Sequence, residues 1–162
     1  MKRKDFIRNS SGILLGSIIG PNLIANLNLT STLNIGVIGT GGRGKGIIKL
    51  LNNLSGVNVV AVCDTLPFRL KEGFELIKSN ISANGYKDYR KLLDNKYIDG
   101  VIICTPLNTH DQIAVDALDA DKHVYCEKTL AKGAAATSRI VNKCKNSNKI
   151  FQTGHQYHSS RL

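Results

Sequence analysis

The chain has 162 residues, of which 42% are hydrophobic and 21% are charged, and its net charge is +10. This length accommodates one ordinary domain, and the composition argues against wholesale disorder and against a multi-span membrane protein. The 22 lysines and arginines are spread along the chain without a nucleic-acid-binding motif, so we expect no nucleic-acid partner despite the basic charge.

The first 30 residues differ from the rest of the chain. A basic start leads into an apolar stretch from Ile13 to Ile19, which is too short and too interrupted to span a bilayer stably. This is the pattern of a signal peptide, and the segment from Arg3 to Arg8 is similar to the twin-arginine export motif, with Lys4 in place of the second arginine. We expect export to the periplasm by that route. A leader on a cytoplasmic protein is the alternative.

A glycine-rich turn follows the first apolar run, which begins at Leu33. Gly39, Gly41 and Gly44 stand in G-x-G-x-x-G spacing. The first glycine permits a tight turn, the second lets a pyrophosphate approach the backbone, and the third allows close packing of the next helix. We therefore assign to cofactor binding the residues Gly39, Thr40, Gly41, Gly42, Arg43 and Gly44. For Arg43, pairing with the pyrophosphate and simple solvation both stay open.

The next elements are a helix, a strand and a second helix. In the first helix Ile47, Leu50, Leu51 and Leu54 fall on one predicted face, and the second strand runs from Val57 to Cys63. The second helix begins at Pro67, and its predicted inner face holds Leu70, Phe74 and Ile77. Apolar runs thus alternate with segments of helical period.

Asp64 closes the second strand, 20 residues after Gly44. A carboxylate at this position accepts hydrogen bonds from ribose hydroxyls and repels a 2′-phosphate, so the pattern predicts NAD in preference to NADP. A plain helix cap is the alternative role for Asp64.

The remainder of the chain continues the alternation of strands and helices. Its predicted elements are a third strand near Gly85 and Tyr86, a brief helix that buries Tyr89, Leu92 and Leu93, a strand from Val101 to Cys104, a helix after Thr109, a strand from His123 to Cys126, a helix from Ala134 to Cys144 and a strand from Ile150 to Thr153. Thr109 and Gln112 have the spacing of a capping box. Six strands with crossover segments predict an α/β fold, a doubly wound parallel sheet over residues 33–154 with helices on both faces.

In such a sheet, ligands bind beyond the carboxyl ends of the strands, at the switch point between the first and fourth strands. This rule adds to the cofactor site Thr105, Pro106, Asn108, Glu127 and Lys128. His110 belongs to the start of the next helix and is a further candidate for contact with the cofactor. Lys128 is also the candidate catalytic residue, because an ammonium beside a nicotinamide can hydrogen-bond a substrate hydroxyl. A surface lysine paired with Glu127 is the alternative. His155, after the sixth strand, is a second catalytic candidate.

The cysteines and histidines indicate no metal site. The four cysteines show neither a C-x-x-C pair nor metal-ligand spacing, so we expect buried free thiols rather than disulfides or zinc. His155 and His158 are three residues apart in a segment that we do not expect to be helical, and we assign them no metal.

Four segments resemble the N-terminal half of a Gfo/Idh/MocA oxidoreductase, namely Tyr86–Leu93, Ile98–Pro106, His110–Leu118 and His123–Lys128. The resemblance extends from Leu33 to the end. It implies a nicotinamide-binding Rossmann domain and hydride transfer between NAD and a sugar, cyclitol or related polyol. In this family a larger open-sheet domain normally follows and supplies much of the catalytic pocket, and a homo-oligomer of the full-length form is possible.

Measured against this family, residues 155–162 would be the start of the second domain. The chain would then be a fragment, a truncated product or one piece of a split protein, and we expect no independent turnover from it. Two other functions stay open. One is a glycoside-cleaving member of the family, in which transient oxidation by bound NAD permits elimination of the glycosidic bond. The other is a non-catalytic dinucleotide-binding module or inactive remnant.

One position departs from the family pattern. The family usually has Glu-Lys-Pro, with a cis bond before the proline that aims the lysine, whereas this chain has Thr129 in place of the proline. A cis bond before a residue other than proline costs about 3 kcal/mol or more, so we expect a trans bond between Lys128 and Thr129.

Overall fold

A computed structural model describes residues 32–78 and 82–155. The predicted leader, and residues 156–162 with His158, lie outside the described residues. The strands are β1 (Leu33–Ile38), β2 (Val57–Cys63), β3 (Asn84–Tyr86), β4 (Gly100–Ile103), β5 (His123–Cys126) and β6 (Phe151–Thr153). The helices are α1 (Gly42–Leu51), α2 (Pro67–Glu75), α3 (Tyr89–Leu93), α4 (His110–Asp119) and α5 (Ala134–Lys145), with a 3-10 turn at Leu107–Thr109.

The strands form one parallel sheet in the order β3-β2-β1-β4-β5-β6. The predicted doubly wound fold is therefore confirmed, and each predicted strand lies within a residue of its observed position. Strand β1 lies between β2 and β4, with Gly36 opposite Val101 on one side and opposite Ala61 on the other. Strands β1, β2 and β3 are added in one direction across the sheet and β4, β5 and β6 in the other, so the switch point lies between β1 and β4, where the sequence predicts it.

Two apolar layers cover the sheet, one on each face. Neighbouring residues of a strand point to opposite faces, so Val37 belongs to one layer and Ile38 to the other. Val37 packs with Ile47 and Ile48 of α1, whereas Ile38 belongs to the layer that α3, α4 and α5 contribute to. Covering on both faces explains why β2 and β4 are almost continuously apolar.

The predicted buried faces of the first two helices are partly wrong. Helix α1 buries Ile47, Ile48 and Leu51, whereas Leu50 is 59% exposed and Leu54 lies beyond the end of the helix. Gly44, which packs closely on the preceding turn, lies on the same buried face of α1 as Ile47, Ile48 and Leu51. In α2, Phe74 is 43% exposed and Gly73 is the buried residue.

The predicted capping box before α4 is wrong. Thr109 is the last residue of the 3-10 turn, has φ −112° and ψ −8°, and makes no side-chain hydrogen bond to the helix amides. It donates instead to the Pro106 carbonyl oxygen at 2.8 Å, and the Gln112 amide donates to Asp116 Oδ1 at 2.7 Å. The extra turn therefore replaces the predicted cap.

All four cysteines are free, as predicted, but only Cys63 and Cys126 are fully buried. Burial raises the pKa of the Cys63, Cys104 and Cys126 thiols to about 12, which keeps them protonated at neutral pH. Within residues 32–78 and 82–155, no helix has the length and apolar character that crossing a membrane requires.

Candidate cofactor-binding site

The turn between β1 and α1 depends on glycine at its first position. Gly39 has φ +91°, a conformation that favours glycine, and its amide donates to the Cys63 carbonyl oxygen at 2.8 Å. A Cβ added at Gly39 would lie 2.7 Å from the carbonyl carbon of Cys104, at the end of β4. The turn after β1 therefore has no room for a side chain at Gly39, because its backbone packs directly on the end of β4.

The last glycine of the motif packs the helix onto this turn. A Cβ at Gly44 would lie 1.9 Å from the Gly39 carbonyl oxygen, whereas a Cβ at Gly42 would meet nothing within 4 Å. Gly41 is the N-cap residue of α1, and a Cβ there would meet only Arg69 Nη1, at 3.8 Å. Gly39 and Gly44 therefore shape the turn, and the backbone at Gly41 and Gly42 remains open to a ligand at the start of α1.

Hydrogen bonds to Asp64 connect the glycine turn to the end of β2. Its Oδ2 accepts a hydrogen bond from the Thr40 amide at 2.9 Å, and its Oδ1 accepts one from the Leu66 amide at 3.0 Å. The residue is 9% exposed. A carboxylate has about four acceptor positions, so Asp64 keeps capacity for ribose hydroxyls while holding the turn. The alternative role of Asp64 as a plain helix cap is wrong, since Leu66 is the N-cap residue of α2.

Thr40 supports the site from beneath. It is fully buried, and its hydroxyl lies 2.8 Å from the Arg69 carbonyl oxygen and 3.2 Å from Asp64 Oδ2. A Cβ at Gly73 would lie 2.5 Å from Thr40 Cγ2, so α2 needs a glycine there to accommodate the threonine. Thr40 therefore acts through Asp64, to which its backbone amide and its hydroxyl are both close.

The segment after β4 contributes Thr105, Pro106 and Asn108 to the same edge of the sheet, and Pro106 and Asn108 are exposed. His110 is different, because it is only 1% exposed. Its Nε2 lies 2.8 Å from the Thr105 carbonyl oxygen, and its Nδ1 lies 3.0 Å from that of Thr129. His110 thus joins the turns after β4 and β5, and the expectation that its ring touches the cofactor is corrected to a supporting position.

The peptide bond between Lys128 and Thr129 is cis, so the expected trans bond is wrong. The Thr129 carbonyl oxygen lies against His110, 19 residues away in the chain. The expected trans bond was inferred from the type of residue 129 alone, without knowledge of its tertiary contacts. Lys128 itself is exposed at the carboxyl end of β5.

Arg43 and Glu127 form an ion pair across the site. Arg43 Nη2 lies 2.5 Å and Nε 2.7 Å from the same oxygen, Glu127 Oε1. The hydrogen bond to Glu127 raises the pKa of Arg43 above its ordinary value. Simple solvation of Arg43 is therefore wrong, and so is the alternative that pairs Lys128 with Glu127.

A polar cavity of about 320 Å³ lies between the ends of α1, β4 and β5. It is lined by Arg43, Cys104, Thr105, Glu127 and Lys128. An apolar groove of about 360 Å³ lies at the opposite edge of the sheet, near Leu33, Val57 and His123. We assign the cofactor to the polar edge, because ligands of such sheets bind at the carboxyl ends of the strands and need convergent polar groups.

His155 lies one strand farther along the same edge. It is exposed, its Nδ1 is 3.2 Å from Thr153 Oγ1, and it does not line the polar cavity. In the part of the chain that the structure describes, no three His, Cys, Asp or Glu side chains are close enough to hold a metal ion.

The packing roles of three residues of the site become clear only in the structure. Gly73 accommodates Thr40, and Cys104 forms part of the cavity wall. Gly154 packs against the β5 turn, since a Cβ there would lie 3.0 Å from Glu127 Cα and from Tyr125 Oη. Each role depends on contacts with residues that are distant in the chain, and the local sequence does not reveal such contacts.

The sequence is similar to enzymes of one family. A family model described as "Oxidoreductase family, NAD-binding Rossmann fold", that of Gfo/Idh/MocA, matches residues 33–155. The chain is 39% identical over 125 residues to an inositol 2-dehydrogenase of Salmonella typhimurium, which covers 76% of this chain and 37% of that protein. It is 32% identical over 146 residues to a glycosyl hydrolase family 109 protein of Shewanella woodyi, which covers 86% of this chain and 30% of that protein.

The fold is similar to that of solved dehydrogenases. Myo-inositol dehydrogenase from Lactobacillus casei, in complex with NAD(H) and myo-inositol, matches with a TM-score of 0.74 and 32% identity, over 80% of this chain and 38% of that one. A probable dehydrogenase from Thermotoga maritima matches with a TM-score of 0.70 and 32% identity, over 75% of this chain and 36% of that one. This chain thus spans little more than a third of each. It belongs to the Gfo/Idh/MocA family of oxidoreductases and contains the NAD-binding Rossmann domain of that family.

Proposed function

We propose that this chain binds NAD in preference to NADP, for hydride transfer with a polyol or sugar-like alcohol. Two relatives support the substrate class, since their names are inositol 2-dehydrogenase and myo-inositol dehydrogenase in complex with NAD(H) and myo-inositol. The carboxylate of Asp64 at the end of β2 is the observation that carries the cofactor preference.

The preference follows from the position and charge of Asp64. Its Oδ2 is held by the turn amide, so the carboxylate cannot rotate away from the edge where the adenosine ribose of a dinucleotide would lie. Ribose hydroxyls donate hydrogen bonds to such a group, and hydrogen bonds to charged acceptors contribute about 1.5–3 kcal/mol. A 2′-phosphate would bring like charge against a carboxylate that is only 9% exposed and therefore poorly screened.

The pyrophosphate and the substrate hydroxyl are bound at two different ends of the site. At the start of α1, the open backbone of Gly41 and Gly42 donates to the pyrophosphate. At the end of β5, Lys128 lies beside the nicotinamide and donates a hydrogen bond to the substrate hydroxyl. When bound, the nicotinamide supplies the hydride acceptor.

We expect NADH to bind this chain at one saturable site and NADPH to bind at least about tenfold more weakly, a difference of about 1.4 kcal/mol. Calorimetric titration of each nucleotide at the same ionic strength measures this. Equal affinities, or tighter NADPH binding, would remove the preference. If neither nucleotide saturates a site, the cofactor role itself fails.

A second candidate activity is redox-assisted cleavage of a glycosidic bond. It is favoured by the similarity to the glycosyl hydrolase family 109 protein, which extends over 146 residues. In that activity, transient oxidation by bound NAD precedes elimination, and the cofactor is recycled. Net NADH that accumulates in step with oxidised polyol supports dehydrogenation, whereas sugar release without net NADH supports cleavage.

A further inference from the structure

We propose that Arg43 is a positioning residue that braces the turn after β5 and so fixes Lys128, and that it is not a ligand of the pyrophosphate. This inference rests on the proposed NAD binding. Arg43 lies in the first turn of α1, and its partner Glu127 lies 84 residues later, just after β5. The pair therefore links the glycine turn to the part of the edge that holds Lys128.

The unequal burial of the two partners indicates that the pair persists when a cofactor binds. The Glu127 side chain is 7% exposed, whereas that of Arg43 is 48% exposed. Movement of Arg43 to a phosphate would leave a buried carboxylate without its counter-charge, which is strongly unfavourable. The pyrophosphate does not require the arginine, because the backbone amides at the start of α1 can donate hydrogen bonds to it.

The carboxylate of Glu127 has little freedom to follow a moving arginine. A Cβ at Gly154 would lie 3.1 Å from Glu127 Cδ, so the chain after β6 packs closely on the carboxyl group. The other carboxylate oxygen, Oε2, accepts from the Lys128 amide at 3.3 Å. Arg43 thus acts on Lys128 through Glu127, and all three residues line the same cavity.

This arrangement predicts that Arg43 affects the nicotinamide end of the site and leaves the adenosine and pyrophosphate end unaffected. ADP-ribose separates the two ends, because it contains both phosphates and lacks the nicotinamide. We expect Arg43→Gln to weaken NADH binding about tenfold and ADP-ribose binding less than about twofold. Arg43→Lys should restore part of the NADH affinity, since it retains the charge that faces Glu127.

The matched control is Lys45→Gln, which removes a positive charge from the same helix. Lys45 pairs with Glu72 at 2.7 Å, and neither residue lines the polar cavity. The control should change the affinities for NADH and ADP-ribose by the same small factor, below about twofold. If Arg43→Gln fails to fold, Glu127→Gln keeps the shape of the acceptor without its charge, and the same selective loss of NADH affinity is expected.

The outcomes separate this inference from the proposed function. An equal loss of NADH and ADP-ribose affinity in the Arg43→Gln variant would overturn the brace, because it would place the guanidinium on the pyrophosphate. An unchanged NADH affinity would also overturn it. If the unmodified chain binds neither compound, the proposed NAD binding has failed, and the brace fails with it.

Discussion

Replacement of Gly44 by alanine is expected to destabilise the chain by about 3 kcal/mol or more and to abolish NADH binding. The new Cβ would lie 1.9 Å from the carbonyl oxygen of Gly39 and 2.9 Å from its carbonyl carbon. Both atoms belong to a turn that is itself pressed against Cys104, so the clash cannot be relieved without moving β1 or α1. Urea unfolding and an NADH titration of the same variant measure the two effects.

Gly46→Ala is the matched control for this substitution. Gly46 lies in the same helix, is exposed, and would place its Cβ within 4 Å of nothing. Alanine is the better helix former, so this variant should be more stable than the parent by up to about 1 kcal/mol, with NADH affinity unchanged. Equal stability of the two variants would contradict the packing that we assign to Gly44.

Replacement of Asp64 by alanine should lower NADH affinity by at least about tenfold and unfolding free energy by about 2–3 kcal/mol. The affinity falls because a charged acceptor for the ribose is lost. Stability falls because the Thr40 and Leu66 amides lose their acceptor. The ratio of NADH to NADPH affinity should also move toward unity, since the repulsion of a 2′-phosphate is removed.

Asp88→Ala serves as the control for the structural part of that effect. Asp88 accepts a hydrogen bond from the Arg90 amide at 3.0 Å, two residues ahead, in the same local geometry as Asp64 with Leu66. Its loss should cost about 1 kcal/mol and leave both nucleotide affinities unchanged. If Asp64→Ala loses stability alone and binds NADH as before, the ribose assignment is wrong.

The sheet and the polar cavity at the carboxyl ends of its strands could be predicted because their signals are local. Strands buried on both faces are apolar runs, and the runs that end at Cys63 and Cys126 have the same carboxyl ends in the structure as in the prediction. The spacing of Gly39 and Gly44 is likewise a local signal. The atoms that a Cβ at either glycine would meet lie within a few residues of it or at the end of the adjacent strand β4. The rule for the switch point then indicated the end of the sheet at which the polar cavity lies.

The remaining features of the site depend on contacts between distant parts of the chain. Arg43 finds Glu127 across 84 residues, and the carbonyls that hold His110 come from two different turns. Neither pairing leaves a pattern in the sequence around it. The cis bond after Lys128 was not predicted either, because the expectation of a trans bond used only the identity of Thr129.

We expect a nicotinamide dinucleotide to lie across the carboxyl edge of the sheet, over the boundary between β1 and β4. Adding NADH to the ¹⁵N-labelled chain and following the backbone amide resonances tests this directly. The largest shifts are predicted for the amides of Gly41, Gly42, Leu66, Thr105 and Lys128. Shifts confined to the apolar groove near Val57 and His123, or no saturable shifts, would contradict the account.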